Sequence, residues 1–115
     1  MPTDAEIARF LTERVLGWEV RDRWPGEISQ WAVHPDPAVG MKRVPDFLTW
    51  EGFGLLWEAL VIPGEQDVEL TGWGAPSGNK ATARIVGKRF GRERDPDPCR
   101  ALMLAAARAY GMEGV

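Results

Sequence analysis

His34 is the only histidine in the chain and Cys99 the only cysteine, so an imidazole base or a thiol nucleophile has one candidate each. A histidine base would need Cys99, Ser29, Ser77 or a carboxylate within hydrogen-bond reach, and a third group to orient it. His34 lies in His34-Pro35-Asp36-Pro37, and no local motif links it to any of those partners. An ordinary loop histidine is therefore expected, and no catalytic residue is assigned. An enzyme would require His34 to meet Cys99 or a carboxylate across a cleft. Cys99 falls in the first turn of a C-terminal helix, where the dipole favours a thiolate. It also lies on that helix's apolar stripe, where cysteine acts as a small hydrophobe, and burial is the expectation. A metal centre needs three or four ligands, and this chain has no Cys/His cluster. Neither metal nor cofactor is expected.

The stronger lead is charge. The chain carries a mild −3 overall with pI ≈ 5.2, which argues against a generic binder of nucleic acid or anionic membranes. That mean conceals a split. Lys80, Arg84, Lys88, Arg89, Arg92 and Arg94 stand against Glu93 alone, a local +5 that leaves −8 on the remainder. Arg84 and Lys88 are expected on the solvent face of a strand, with Arg89, Arg92 and Arg94 in the loop that follows. Trp73, across the hairpin, would offer a stacking surface. Such a cluster suits phosphate contacts. The bland alternative is a solvated run paired locally with Asp95, Asp97 and other acids. Six tryptophans in 115 residues are the other oddity. Trp18, Trp50 and Trp57 fall on helical stripes and are expected in the core. Exposed tryptophan beside arginine is the composition of a protein–protein hot spot.

The elements that must hold these residues are legible in part. Thr3 to Glu6 has the spacing of a capping box, and Ile7, Leu11, Val15 and Trp18 mark an apolar stripe that Gly17 ends. Glu19 to Arg21 and Ile28 to Val33 read as short strands around the turn-forming Trp24-Pro25-Gly26. The prolines after His34 end the second of these, and 34–46 is expected to be irregular. Thr49 caps a helix to about Leu60, with Trp50, Phe53, Trp57 and Leu60 on one stripe. Gly52 and Gly54 each cost about 1 kcal/mol there, which implies close packing or a later start. Asp67 to Thr71 and Lys80 to Phe90 alternate as a hairpin should, with Ala81, Ala83 and Ile85 on one face and a bulge at Gly87. Asp97 caps the last helix, Pro98 fits its first position, and Gly111 stops it. Its alanines allow a neighbouring backbone to come close, so it is expected to lie flat on a sheet. Ala101 and Leu104 lie off its stripe and are expected to be exposed, which suggests a homodimer. A lone cysteine excludes an internal disulfide, and no segment reads as a signal peptide or membrane span.

Trp50-Glu51-Gly52-Phe53-Gly54-Leu55-Leu56-Trp57-Glu58-Ala59 and Asp97-Pro98-Cys99-Arg100-Ala101-Leu102, with Ala109-Tyr110-Gly111-Met112-Glu113, resemble the phage ABA sandwich domain family. Ile7-Ala8 to Val15-Leu16-Gly17-Trp18 is similar to that family's opening helix. These motifs concern packing and cover both ends and the middle of the chain, but not Trp24 to Pro45. The resemblance implies an α/β sandwich of phage or prophage origin and carries no activity to any residue. The order of elements also resembles a double-stranded RNA-binding domain, whose last helix starts with lysines that grip phosphate. Here Asp95-Pro96-Asp97-Pro98 stands in that place and would reject it.

The reading is a single α+β domain over 1–115, with an antiparallel sheet of three or four strands and three helices. Its expected role is that of a small cytoplasmic phage-type accessory protein in a bacterial host. It would bind a macromolecule, more readily a protein than nucleic acid, through Trp73, Lys80, Arg84, Lys88, Arg89, Arg92 and Arg94. A nucleic-acid-binding domain using 80–94 is the alternative.

Overall fold

The chain, in a computed structural model, is described for residues 2–21, 31–72 and 80–115. Among these residues three helices and six strands follow in order: α1 (Asp4–Arg14), β1 (Glu19–Arg21), β2 (Trp31–Val33), β3 (Met41–Arg43), α2 (Trp50–Val61), β4 (Asp67–Thr71), β5 (Ala81–Val86), β6 (Gly91–Asp95) and α3 (Pro98–Ala109). The strands form two antiparallel three-stranded sheets, β1-β2-β3 and β4-β5-β6, so the class is α+β. The single sheet expected from the sequence is thus divided in two.

Side-chain caps start all three helices. Thr3 accepts from the Glu6 amide, Thr49 from Gly52 and Asp97 from Cys99, at 3.2, 3.1 and 2.9 Å. Each satisfies an amide that the first turn leaves without a helical partner.

α3 is the centre of the molecule. Ten of its twelve residues are buried, which a helix packed on one side only would not achieve. One side lies on the inner face of β4-β5-β6, against Ala81, Ala83 and Ile85, while α1 and α2 pack against it as well. The approach to β6 is close. A Cβ on Gly91 would sit 2.1 Å from the Ala105 carbonyl oxygen and 2.9 Å from the Ala109 Cβ. Only glycine facing alanine permits that spacing.

The two residues of α3 outside the buried set are arginines, and both reach acids on β6. Arg100 holds Asp95 at 2.7 Å and Asp4 of α1 at 3.2 Å, while Arg108 pairs with Glu93. This explains a departure from the sequence reading. Gly91-Arg92-Glu93-Arg94-Asp95 looks like a charged loop, because four of its five residues are ionised. It is a strand because its two inward carboxylates are neutralised from α3.

Other expectations are corrected in the same way. Met41–Arg43 interrupts the segment expected to be irregular and pairs with β2. Ala101 and Leu104 are buried, so the surface invoked for a homodimer does not exist. Trp50 is 55% exposed rather than core, with its ring edge-on to Phe53. Trp18 is buried, and its ring meets that of His34 at 5.0 Å. Gly87 stands in the turn after β5 rather than in a bulge. The stretches 22–30, with Trp24 and Ser29, and 73–79, with Trp73 and Ser77, lie outside the described residues.

The two glycines of α2 differ. A Cβ on Gly52 would fall 2.1 Å from the Asp46 carbonyl oxygen, whereas one on Gly54 would meet nothing within 4 Å. Gly52→Ala is therefore expected to destabilise by about 2 kcal/mol or more, since backbone must move. Gly54→Ala is expected to stabilise by about 0.5–1 kcal/mol through helix propensity. Urea unfolding of both variants checks the opposite signs.

Candidate binding face

With α3 covering one face of β4-β5-β6, no described helix covers the other. Alternation along each strand decides what that face presents. The inner positions are Val68, Leu70, Ala81, Ala83, Ile85, Gly91, Glu93 and Asp95. The outer ones form cross-strand rows. Glu69 pairs with Arg84 and Arg84 with Arg92; Thr71 pairs with Thr82 and Thr82 with Arg94. Phe90, 63% exposed, precedes β6 and joins Glu69, Thr71, Thr82, Arg84 and Arg92 around a shallow basin of about 400 Å³.

The first row places two guanidiniums in direct cross-strand register. Like charges directly opposite are destabilising. Glu69 gives little relief, because its nearest contact with Arg84 is 3.9 Å and both side chains are half-exposed. Arg92 and Arg94 have no ion-pair partner among the described residues. Of the acids expected to quench the stripe, Glu65 and Glu69 meet Lys88 and Arg84, while Asp95 and Asp97 are engaged elsewhere. Asp95 binds Arg100, and Asp97 caps α3.

The structure therefore sorts the residues singled out in the sequence. Arg84, Arg92 and Arg94 share the outer face, although Arg92 and Arg94 were expected in a loop. Lys80 is exposed just before β5. Lys88 instead pairs with Glu65 at 2.7 Å and holds that carboxyl below its usual range. Arg89 lies over the Tyr110 ring at 4.5 Å, at the end of α3. Trp73 is outside the described residues. The alternation of β5 already sets Thr82 beside Arg84, whereas Phe90 and Thr71 were missed as members of the face. The spacing Phe90, Arg92, Arg94 carried the signal, since steps of two share a face once β6 is known to be a strand.

The two residues with chemical potential are used structurally. His34 Nδ1 accepts from the Asp36 amide at 2.9 Å, closing a turn. Cys99 is buried beneath the start of α3, and burial together with the Asp97 carboxylate pushes its thiol above the ordinary range. The local acid and desolvation thus override the dipole effect expected at this position. No group of three His, Cys, Asp or Glu able to hold a metal occurs among the described residues, and no described helix is long and apolar enough to cross a membrane.

A thiol whose native ionisation lies above its unfolded value supports folding below the unfolded value, about pH 8.5, and loses that contribution as pH rises through the native one. At pH 8 the native Cys99 is expected to react with a disulfide reagent at least ~10-fold more slowly than the unfolded chain, because the side chain is buried from the reagent and its thiolate, the nucleophile, is disfavoured. Rates measured with and without denaturant check this; equal rates would show an accessible thiolate.

No protein-family model, no curated protein and no solved structure matches this chain.

Proposed function

We propose that this protein is a non-catalytic binding module of the small phage or prophage accessory type. It engages an acidic protein surface through the outer face of β4-β5-β6. The observation that carries this reading is Arg84 opposite Arg92 on a sheet face that no described helix covers, beside the exposed Phe90. Two cations held together with only a 3.9 Å contact from Arg84 to the half-exposed Glu69 are stabilised by an anion brought from outside. Arginine supplies planar, bidentate recognition of carboxylate or phosphate. Arginine with an aromatic neighbour is also a recurrent interface composition. Asp67 and Glu69 on β4 confine the positive field to the β5 and β6 side. That restriction favours a discrete acidic patch over a long polyanion. The resemblance of the packing motifs to those of phage ABA sandwich proteins supports the accessory type, and a bacterial cytoplasm is the setting that goes with it.

A second reading rests on the same pair plus Phe90. Single-stranded nucleic acid laid across the strands would place phosphates at Arg84 and Arg92 and a base on the phenyl ring.

Affinity capture from bacterial lysate, with and without nuclease, distinguishes them when wild type is run beside Arg84→Glu/Arg92→Glu. A protein retained after nuclease and reduced about 10-fold or more by charge reversal is the expected result. Recovery that disappears with nuclease and with charge reversal would select nucleic acid. Partners held equally by wild type and variant would remove this face from the function.

A further inference from the structure

The solvent side of α2 is the second surface that folding leaves unused. Glu51, Gly54, Leu55, Glu58, Val61 and Ile62 recur at three- and four-residue steps and are all exposed, whereas Gly52, Leu56 and Leu60 face the core. Ile62 is 66% exposed and Val61 39%, an apolar stripe where a surface helix ordinarily carries polar residues. Leu55, Glu58, Ala59, Ile62 and Pro63 line a groove of about 290 Å³ along it.

Charge decides what fits. From Val44 to Asn79 the sequence contains no lysine, arginine or histidine, yet it contains Asp46, Glu51, Glu58, Glu65, Asp67 and Glu69. Glu65 and Glu69 meet Lys88 and Arg84, but Glu51 and Glu58 have no ion-pair partner among the described residues. The stripe is therefore apolar with an acidic rim. We propose that it docks an amphipathic helix whose apolar seam is flanked by lysine or arginine, a helix-in-groove interaction. Gly54 adds a steric argument: it weakens the helix, no described residue beyond its own stretch of helix comes within 4 Å of where its Cβ would be, and its bare backbone admits a helix at close range. A second copy of this chain fits poorly. An antiparallel pairing centred between Gly54 and Leu55 sets Glu51 of each copy against Glu58 of the other. Docking α2 on the basic sheet face of another copy gives a head-to-tail contact that need not close. The inference is independent of the binding role assigned to Arg84 and Arg92.

A fluorescein-labelled peptide of about 18 residues, with leucine along one face and lysine beside it, is the probe, and its leucine–glutamate counterpart is the control. Wild type is expected to raise the anisotropy of the first peptide and not of the second. Gly54→Gln, which keeps the helix but puts a side chain on the bare part of the stripe, and Glu51→Lys/Glu58→Lys are each expected to weaken binding about 10-fold or more. Arg84→Glu/Arg92→Glu is expected to bind as wild type, which separates this surface from the sheet face. Circular dichroism establishes that each variant is folded. Equal affinity in Gly54→Gln, equal binding of both peptides, or no binding by wild type would each overturn the proposal. Self-association of wild type in sedimentation that Gly54→Gln abolishes would overturn it in favour of a second copy.

Discussion

A helix enclosed on nearly every side sets the terms for the rest of this protein. α3 must accept a sheet on one side and two helices elsewhere, and the space for that comes from its own small residues. Five of its twelve positions are alanine, including the unbroken Ala105, Ala106 and Ala107. Gly91 completes the fit from the sheet side, since any Cβ there would enter the helix backbone. Interiors this dense tolerate little added volume. The charged residues of α3 reinforce the arrangement, with Arg100 and Arg108 fastening opposite ends of the helix to β6. These ion pairs are partly solvated, so their main effect is to let carboxylates point inward on a strand that would otherwise reject them.

Such an arrangement explains which parts of the fold were legible in the sequence. Helix caps, the apolar stripe of α1 and the alternation of β5 follow local rules, and Thr3, Thr49 and Asp97 act as those rules require. Two stretches were misread for a common reason. β6 and the outer positions of α3 depend on partners distant in sequence, and periodicity carries no information about those. Glu93 is a surface residue by composition and an inward one only because Arg108 is there. Ala101 and Leu104 look exposed when one stripe is assumed, but α3 has no solvent side apart from its two arginines. The binding face was half visible. Its arginines were identified as a cluster, whereas their division into Arg84, Arg92 and Arg94 on one face and Lys88 and Arg89 elsewhere required the strand register.

With the interior committed to α3, two surfaces remain whose composition works against stability. One holds cations in register on the sheet, and the other exposes aliphatic side chains beside glutamates on α2. They are opposite in charge and come from adjacent segments of the chain. Local departures from what folding alone favours are expected at functional positions, where stability is given up for recognition.

The tension between Arg84 and Arg92 is the point at which this view is most exposed. Urea unfolding of Arg92→Glu, beside Arg92→Gln as the neutral control, measures it directly. Replacing Arg92 with glutamate turns the row Glu69, Arg84, Arg92 into alternating charges. If the arginines are kept for a partner and not for the fold, Arg92→Glu should exceed wild type in stability by about 0.5 kcal/mol and also exceed Arg92→Gln. A loss of about 1 kcal/mol or more in both variants would show that Arg92 supports the fold, and would contradict its assignment to a binding face.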